Sequence, residues 1–230
     1  MKLPHASSIA KFALLVAGLA CSLLSNASIC ESGKRQSPTD IRPSRQQSGP
    51  SLTFDYRSTD LKIANDGHTV RVRFHNGSVL RIGKDAYTLE QFHFHTPGGD
   101  RIEGQEFPMA AHLLHKSKSG KLLAVGVLFR LGAENGLLNA LLPIIPKIAN
   151  GDHPLLAPQI DPTLLLPKDK SYFRYEGSLT AAPCTEGVEW IVLKEPLEIS
   201  PRQLARYKTL FADNMRTAQP LNMRLVVESN

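Results

Sequence analysis

The feature that most constrains this chain is a succession of short alternating segments separated by turn residues. Val70-Arg71-Val72-Arg73-Phe74 and Ser78-Val79-Leu80-Arg81-Ile82 place apolar and charged side chains on opposite sides. That period of two belongs to a strand with one buried face. Asn76-Gly77 between the two segments predicts a hairpin. A second turn is marked by Asn65-Asp66-Gly67, just after a short run over 61–63. Further strands are expected over 87–95, 109–115, 122–129, 172–175, 188–193 and 221–227. Helical signals are fewer. Residues 136–148 have apolar residues at helical spacing, but Pro143 and Pro146 limit them to a short helix. Ser200-Pro201 opens another, with serine as N-cap and proline at the first position, running to about residue 212. Residues 31–50 read as an extended arm and 150–170 as a Pro-rich loop. The expectation is one mainly β domain with a few peripheral helices.

The N-terminus carries a different signal. Lys2, His5 and Lys11 precede an apolar run over 12–24, short for a membrane span and right for the core of a signal peptide. Ser25-Asn26-Ala27 offers small residues where a signal peptidase reads, so cleavage is expected after Ala27. Residues 1–27 are then a signal peptide and 28–230 a single mature domain, exported to the periplasm or the extracellular space. After cleavage nothing would hold it to a membrane. An uncleaved anchor or a buried helix is the alternative. Export implies an oxidising compartment. Loss of Cys21 leaves Cys30 and Cys184, an even pair that suggests one bridge, with two unpaired thiols as the alternative. The formal charge of the whole chain is +6, and removing the segment's two lysines leaves +4. So mild an excess, without a basic block interleaved with aromatics, does not point to nucleic acid. Arg71, Arg73 and Arg81 read as a solvated sheet face.

Histidine carries the chemistry. In Gln91-Phe92-His93-Phe94-His95 the two histidines project from one face of a strand and the two phenylalanines from the other. A 16-residue connection brings His112 in on a second strand. Three neutral imidazoles converging from a rigid sheet make a zinc site with an open fourth position, the mark of a catalytic site. A helical pairing of His112 with His115 is the alternative. On a strand their odd spacing sends His115 to the opposite face as a packed histidine. His75, beside the Asn76-Gly77 turn, and His153, in the Pro-rich loop, read as solvated.

These histidines belong to a longer set of motifs. They include Gly33-Lys34-Arg35-Gln36-Ser37-Pro38-Thr39-Asp40-Ile41, Asn65-Asp66-Gly67-His68, Gln91-Phe92-His93-Phe94-His95-Thr96-Pro97 and Ala111-His112-Leu113-Leu114-His115-Lys116. Downstream come Gly177-Ser178-Leu179-Thr180, Gly187-Val188-Glu189-Trp190-Ile191-Val192-Leu193 and Asn214-Met215-Arg216 with Ala218-Gln219-Pro220-Leu221-Asn222. In this order, across residues 30–227, the chain resembles the α-class carbonic anhydrases, particularly the compact exported bacterial type. The resemblance implies a large, mostly antiparallel twisted central sheet, zinc on His93, His95 and His112, and a Cys30–Cys184 bridge. It implies reversible hydration of carbon dioxide to bicarbonate and a proton. Carbon dioxide and bicarbonate are then the small-molecule partners, and the resemblance leaves the oligomeric state open. By the same resemblance Thr180 orients the attacking group and its backbone N–H lies near the substrate. Leu114, Ala124, Leu179, Val188 and Trp190 form an apolar wall, and His68 shuttles protons. Gln91 fixes one zinc histidine, the backbone carbonyl of Asn214 fixes another, and Arg216 supports that segment.

The sequence departs from the family pattern in three places. Gly98-Gly99-Asp100 stands where Ser-Glu-His is usual, so the carboxylate that takes the Thr180 proton falls on Gly99. Only a shifted loop would let Asp100, one residue on, take that role, with Glu103 a poorer candidate. Ala110 stands where a glutamate usually takes the ring N–H of the third ligand histidine. The usual N-terminal aromatic stretch before Cys30 is missing. Together they predict normal zinc binding with slowed turnover. The alternative is a non-catalytic relative acting as a binding or surface-adhesion module; retention of all three histidines with Thr180 and His68 favours the enzyme.

Overall fold

A computed structural model describes residues 30–58, 62–74, 77–149, 151–154 and 159–229. The signal segment, its cleavage point and His75 lie outside the described residues. In chain order the elements are β1 (Asp40–Ile41), β2 (Arg45–Gln46), β3 (Leu52–Asp55), β4 (Lys62–Asn65), β5 (Val70–Arg73), β6 (Val79–Ile82), β7 (Asp85–His95), β8 (Arg101–Ile102), β9 (Met109–Ser117) and β10 (Leu122–Leu131). Then follow α1 (Gly136–Leu141), β11 (Gly151–Pro154), a 3-10 turn (Pro162–Leu165), β12 (Tyr172–Ser178), β13 (Glu186–Leu193), β14 (Leu197–Ile199), α2 (Pro201–Lys208) and β15 (Val227–Ser229).

Thirteen strands form one sheet, in the order β11-β4-β5-β7-β9-β10-β13-β12-β15-β2, with β3, β6 and β14 pairing alongside. Most pairings are antiparallel; β10 with β13, β10 with β14, and β15 with β2 are parallel. The fold class is thus the mainly β, largely antiparallel sheet expected from sequence. The three long central strands, β7, β9 and β10, carry the site. Their length follows from composition. β7 alternates along its whole course, and β10 is apolar on both faces and buried from Leu123 to Phe129. One face packs Phe92, Phe94, Leu113, Val125, Val127 and Ile191 into the larger core. Burying each such side chain contributes roughly 1.5–3 kcal/mol. The other face holds a smaller cluster that includes Ala110, Ala124, Tyr175, Trp190 and Val192.

Several local expectations need correction. The predicted hairpin at Asn76-Gly77 does not form: β5 pairs with β4 and with the end of β7 carrying Gln91 to His93, whereas β6 pairs with β3 and the other end of β7. The two alternating segments lie end to end along one longer strand. The hairpin turn is instead Gly83-Lys84, joining β6 to β7, with Gly83 at φ 57°. The arm over 31–50 is built into the fold. Gln36, Ser37, Thr39 and Ile41 are buried, β1 pairs with β8, and β2 closes the sheet edge. The Pro-rich loop contains β11 and the 3-10 turn. The final strand begins at Val227, because Asn222 and Met223 adopt positive φ and break the run before it.

The helix α2 ends at Lys208 and starts with a full capping box between Ser200 and Gln203. It braces the site from behind. The Tyr207 hydroxyl donates to the Phe94 carbonyl at 3.1 Å, between the two histidines of β7. His115 points into the larger core, as the strand parity requires, with its Nε2 2.6 Å from the Tyr56 hydroxyl.

Candidate metal centre

Strand register builds the site. His93 on β7 is directly opposite His112 on β9, and His95 is opposite Ala110. His93 and His95 share a face by parity, and the pairing puts His112 on that same face. The ring centroids lie 4.8 Å (His93–His95), 5.5 Å (His93–His112) and 4.6 Å (His95–His112) apart. One nitrogen from each ring falls within 4.8 Å of the others. These are the only such groups of three among the described residues.

The electrostatics favour neutral rings. Burial pushes all three imidazoles down: His95 to about 4, and His93 and His112 well below the ordinary histidine value. The neighbouring histidines push His93 and His112 further, and the Arg71 guanidinium adds to the effect on His93. At neutral pH each ring therefore keeps a lone pair for a cation. Two rings have their second nitrogen fixed. His93 Nδ1 donates to Gln91 Oε1 at 2.9 Å, and His95 Nδ1 donates to the Asn214 carbonyl at 3.1 Å. The opposite nitrogen of each is thereby left as the acceptor. His95 Nε2 is buried and has no hydrogen-bond partner among the described residues. A buried, orphaned acceptor amid three neutral imidazoles fits a soft-to-borderline divalent cation, and zinc suits this donor set.

Asn214 does more than its carbonyl suggests. Its side chain accepts from Thr96 N and donates to the carbonyls of His68 and Phe94. It therefore ties the His68 turn to the ligand strand. That turn is itself fixed by Asp66, whose Oδ1 accepts from His68 N and Thr69 N. Arg216, two residues on, donates to Gln36 Oε1, to Cys184 Sγ and to the Cys30 carbonyl. Cys30 and Cys184 are joined in a disulfide.

The site opens into a cleft of two lobes that share Arg71, His93, Thr180, Ala181 and Ala182. One lobe, of about 430 Å³, is lined by Leu114, Ala124, Leu179 and Trp190 from the expected wall. Val188 does not line it and belongs to the smaller core cluster. The other lobe, of about 500 Å³, contains the exposed His68. Arg71, Arg73, Glu90 and Lys116 also line the first lobe, which the sequence reading missed for the arginines by assigning them to a solvated face. Only the long-range register shows it: Arg71 pairs with His93 across β5 and β7, and same-face parity carries Arg73 along with it.

Asp100 is not recruited to Thr180: its Oδ1 accepts from Thr39 N at 2.9 Å and from the Tyr175 hydroxyl at 3.1 Å. The Thr180 hydroxyl makes no hydrogen bond to any described residue. Gly99 has φ +85°, and a Cβ there would lie 2.7 Å from Met215. Met215 thus occupies the place a side chain at 99 would take.

The sequence matches the protein family described as eukaryotic-type carbonic anhydrase over residues 24–230. It is 38% identical over 202 residues to a carbonic anhydrase of Neisseria gonorrhoeae, covering 87% of this chain and 79% of that one. It is 36% identical over 206 residues to dioscorin dioA3 of Dioscorea japonica, covering 86% and 76%. Among solved structures, the α-carbonic anhydrase of Thermovibrio ammonificans, in complex with the inhibitor sulfanilamide, superposes with a TM-score of 0.83. That match has 37% identity and covers 88% of this chain and 90% of that one.

Proposed function

This chain belongs to the eukaryotic-type carbonic anhydrase family, and from that premise we propose that it catalyses the reversible hydration of carbon dioxide to bicarbonate and a proton. The observation that carries the reading is the convergence of three neutral imidazoles, two with their outer nitrogens fixed, on one point of a cleft. His93, His95 and His112 would hold zinc. When bound, zinc supplies Lewis acidity that activates water for attack on carbon dioxide near neutral pH.

The chain's own residues do the rest. Leu114, Ala124, Leu179 and Trp190 offer an apolar surface to an apolar substrate and exclude competing water. Val188 supports that wall from within the smaller core. Thr180 lies on both lobes, where its hydroxyl and backbone N–H orient the reacting groups. With Asp100 engaged elsewhere, no carboxylate fixes the direction of that hydroxyl. Loss of one preorganised partner typically costs on the order of a hundredfold in rate, so slowed turnover is expected. His68, exposed in the second lobe, carries the proton out to buffer. Arg71, Arg73 and Lys116 favour the anionic product at the rim.

Export supports the reading. The disulfide belongs in an oxidising compartment, and no helix among the described residues is long and apolar enough to cross a membrane. Residues 1–27 would direct the chain out of the cytoplasm, to the periplasm or beyond.

Stopped-flow hydration of carbon dioxide by zinc-loaded protein tests the proposal. Measurable turnover is expected, reduced in dilute buffer by His68→Ala and restored there by added imidazole. Zinc-loaded protein with no hydration activity would favour the non-catalytic alternative.

A further inference from the structure

The third ligand histidine is held differently from the other two. His112 has no hydrogen-bonded neighbour on either ring nitrogen among the described residues. Its Nε2 is sealed from solvent and orphaned, while its Nδ1 is the nitrogen open to the cleft. Asp100 Oδ2 is likewise buried and orphaned among the described residues. Buried polar atoms without partners are rare in native proteins and are commonly satisfied by internal water. The two are chemical complements, one an N–H donor and the other a carboxylate acceptor.

The same small core cluster links them. His112 lies edge-on to Trp190 at 4.8 Å, Trp190 stacks on Tyr175 at 6.1 Å, and the Tyr175 hydroxyl donates to Asp100 Oδ1. Ala110 belongs to this cluster, two residues before His112 on the same face of β9. Its single methyl group leaves room where a longer side chain would reach the ring. Asp100 itself is fixed by Thr39 and Tyr175, so its second oxygen has a defined direction.

We propose that Asp100 positions His112 through a buried water beside Ala110, which accepts the His112 Nε2–H and donates to Asp100 Oδ2. Asp100 is then a positioning residue for the metal centre. It acts through the ring that carries the third lone pair and does not touch substrate. The proposal rests on the three-histidine reading of the site, and its test separates the two.

Two readouts are used on the full-length mature protein. In metal-free protein, NMR reports solvent exchange of the His112 Nε2–H. Zinc affinity is measured by competition with a chelator. Asp100→Asn keeps an oxygen for Thr39 and Tyr175 but presents N–H groups where Oδ2 was. It should speed exchange of the ring proton and weaken zinc binding about 10- to 100-fold, the usual range for a lost outer partner. Adding Ala110→Glu to Asp100→Asn supplies a direct carboxylate and should restore affinity to within about threefold of wild type. Should Asp100→Asn fail to fold, Ala110→Leu fills the water's place with Asp100 intact and should give the same two losses. Unchanged exchange and affinity in the folded Asp100→Asn protein would overturn the proposal. So would failure of Ala110→Glu to restore affinity in a folded double variant, since a purely structural role for Asp100 predicts that result. If wild type bound no zinc, the three-histidine reading would fail while the ring-proton arm still decided the role of Asp100.

Discussion

The β7 side of the site and the β9 side make an instructive contrast. On β7, both ligand rings have their outer nitrogens fixed by direct bonds, to Gln91 Oε1 and to the Asn214 carbonyl. On β9, His112 has no such bond, and Ala110, two residues before it, carries no polar group to supply one. The backbone register nevertheless places all three rings around one point. Pairing of strands therefore delivers the ligands, whereas side-chain partners set their tautomers and hold them still. The first job survives substitution of the second set of residues, which is why the ligand triad persists beside an altered surround.

The largest expected effect tests how the β7 side is anchored. Arg216 ties the Asn214 segment to both cysteines, and the bridge closes a loop with a sequence separation of 154 residues. Replacing both cysteines by serine should cost about 5 kcal/mol in the chain-entropy account of disulfides. Urea unfolding of the two proteins checks it, and a loss below about 1 kcal/mol would show that the anchoring is elsewhere.

The β9 side has its own signature in pH. Burial raises Asp100 to about 6, with Thr39 and Tyr175 only partly opposing it. A carboxyl raised above its unfolded value of about 4 stabilises the fold fully below that value, and the contribution disappears as pH rises through about 6. Between about pH 3 and 7 the metal-free wild type should therefore lose roughly 3 kcal/mol relative to Asp100→Asn. Parallel pH profiles of the two proteins would remove Asp100 as a buried titrating group.

Gly99→Glu sharpens the contrast from a third direction. At φ +85°, against Met215, a side chain should cost about 1–3 kcal/mol and should not accelerate hydration. A faster enzyme would mean that Met215 yields and that Thr180 gains its carboxylate. The smallest expected effect is Gln91→Ala, which removes the direct partner of His93. It should weaken zinc about 10- to 100-fold by chelator competition and leave the fold intact.

Much of the site was legible in the sequence because its rules are local. Two histidines at i and i+2 on a strand must share a face, and alternation marked that strand. Long-range pairing was less legible. Asn76-Gly77 is a hairpin signal, yet β5 and β6 each find more partners along the longer β7. The arm over 31–50 shows no periodicity because its strands are only two residues long and its burial comes from distant segments. The role of Asp100 was left open for the same reason. Its partners are 61 and 75 residues away in sequence, and no local pattern announces them.

Metal analysis tests the central claim most directly. Purified wild-type protein, loaded with zinc and freed of excess, should contain one zinc per chain, and His93→Ala should retain far less than one while staying folded. Stoichiometric zinc in His93→Ala, or none in wild type, would contradict a three-histidine metal centre on β7 and β9.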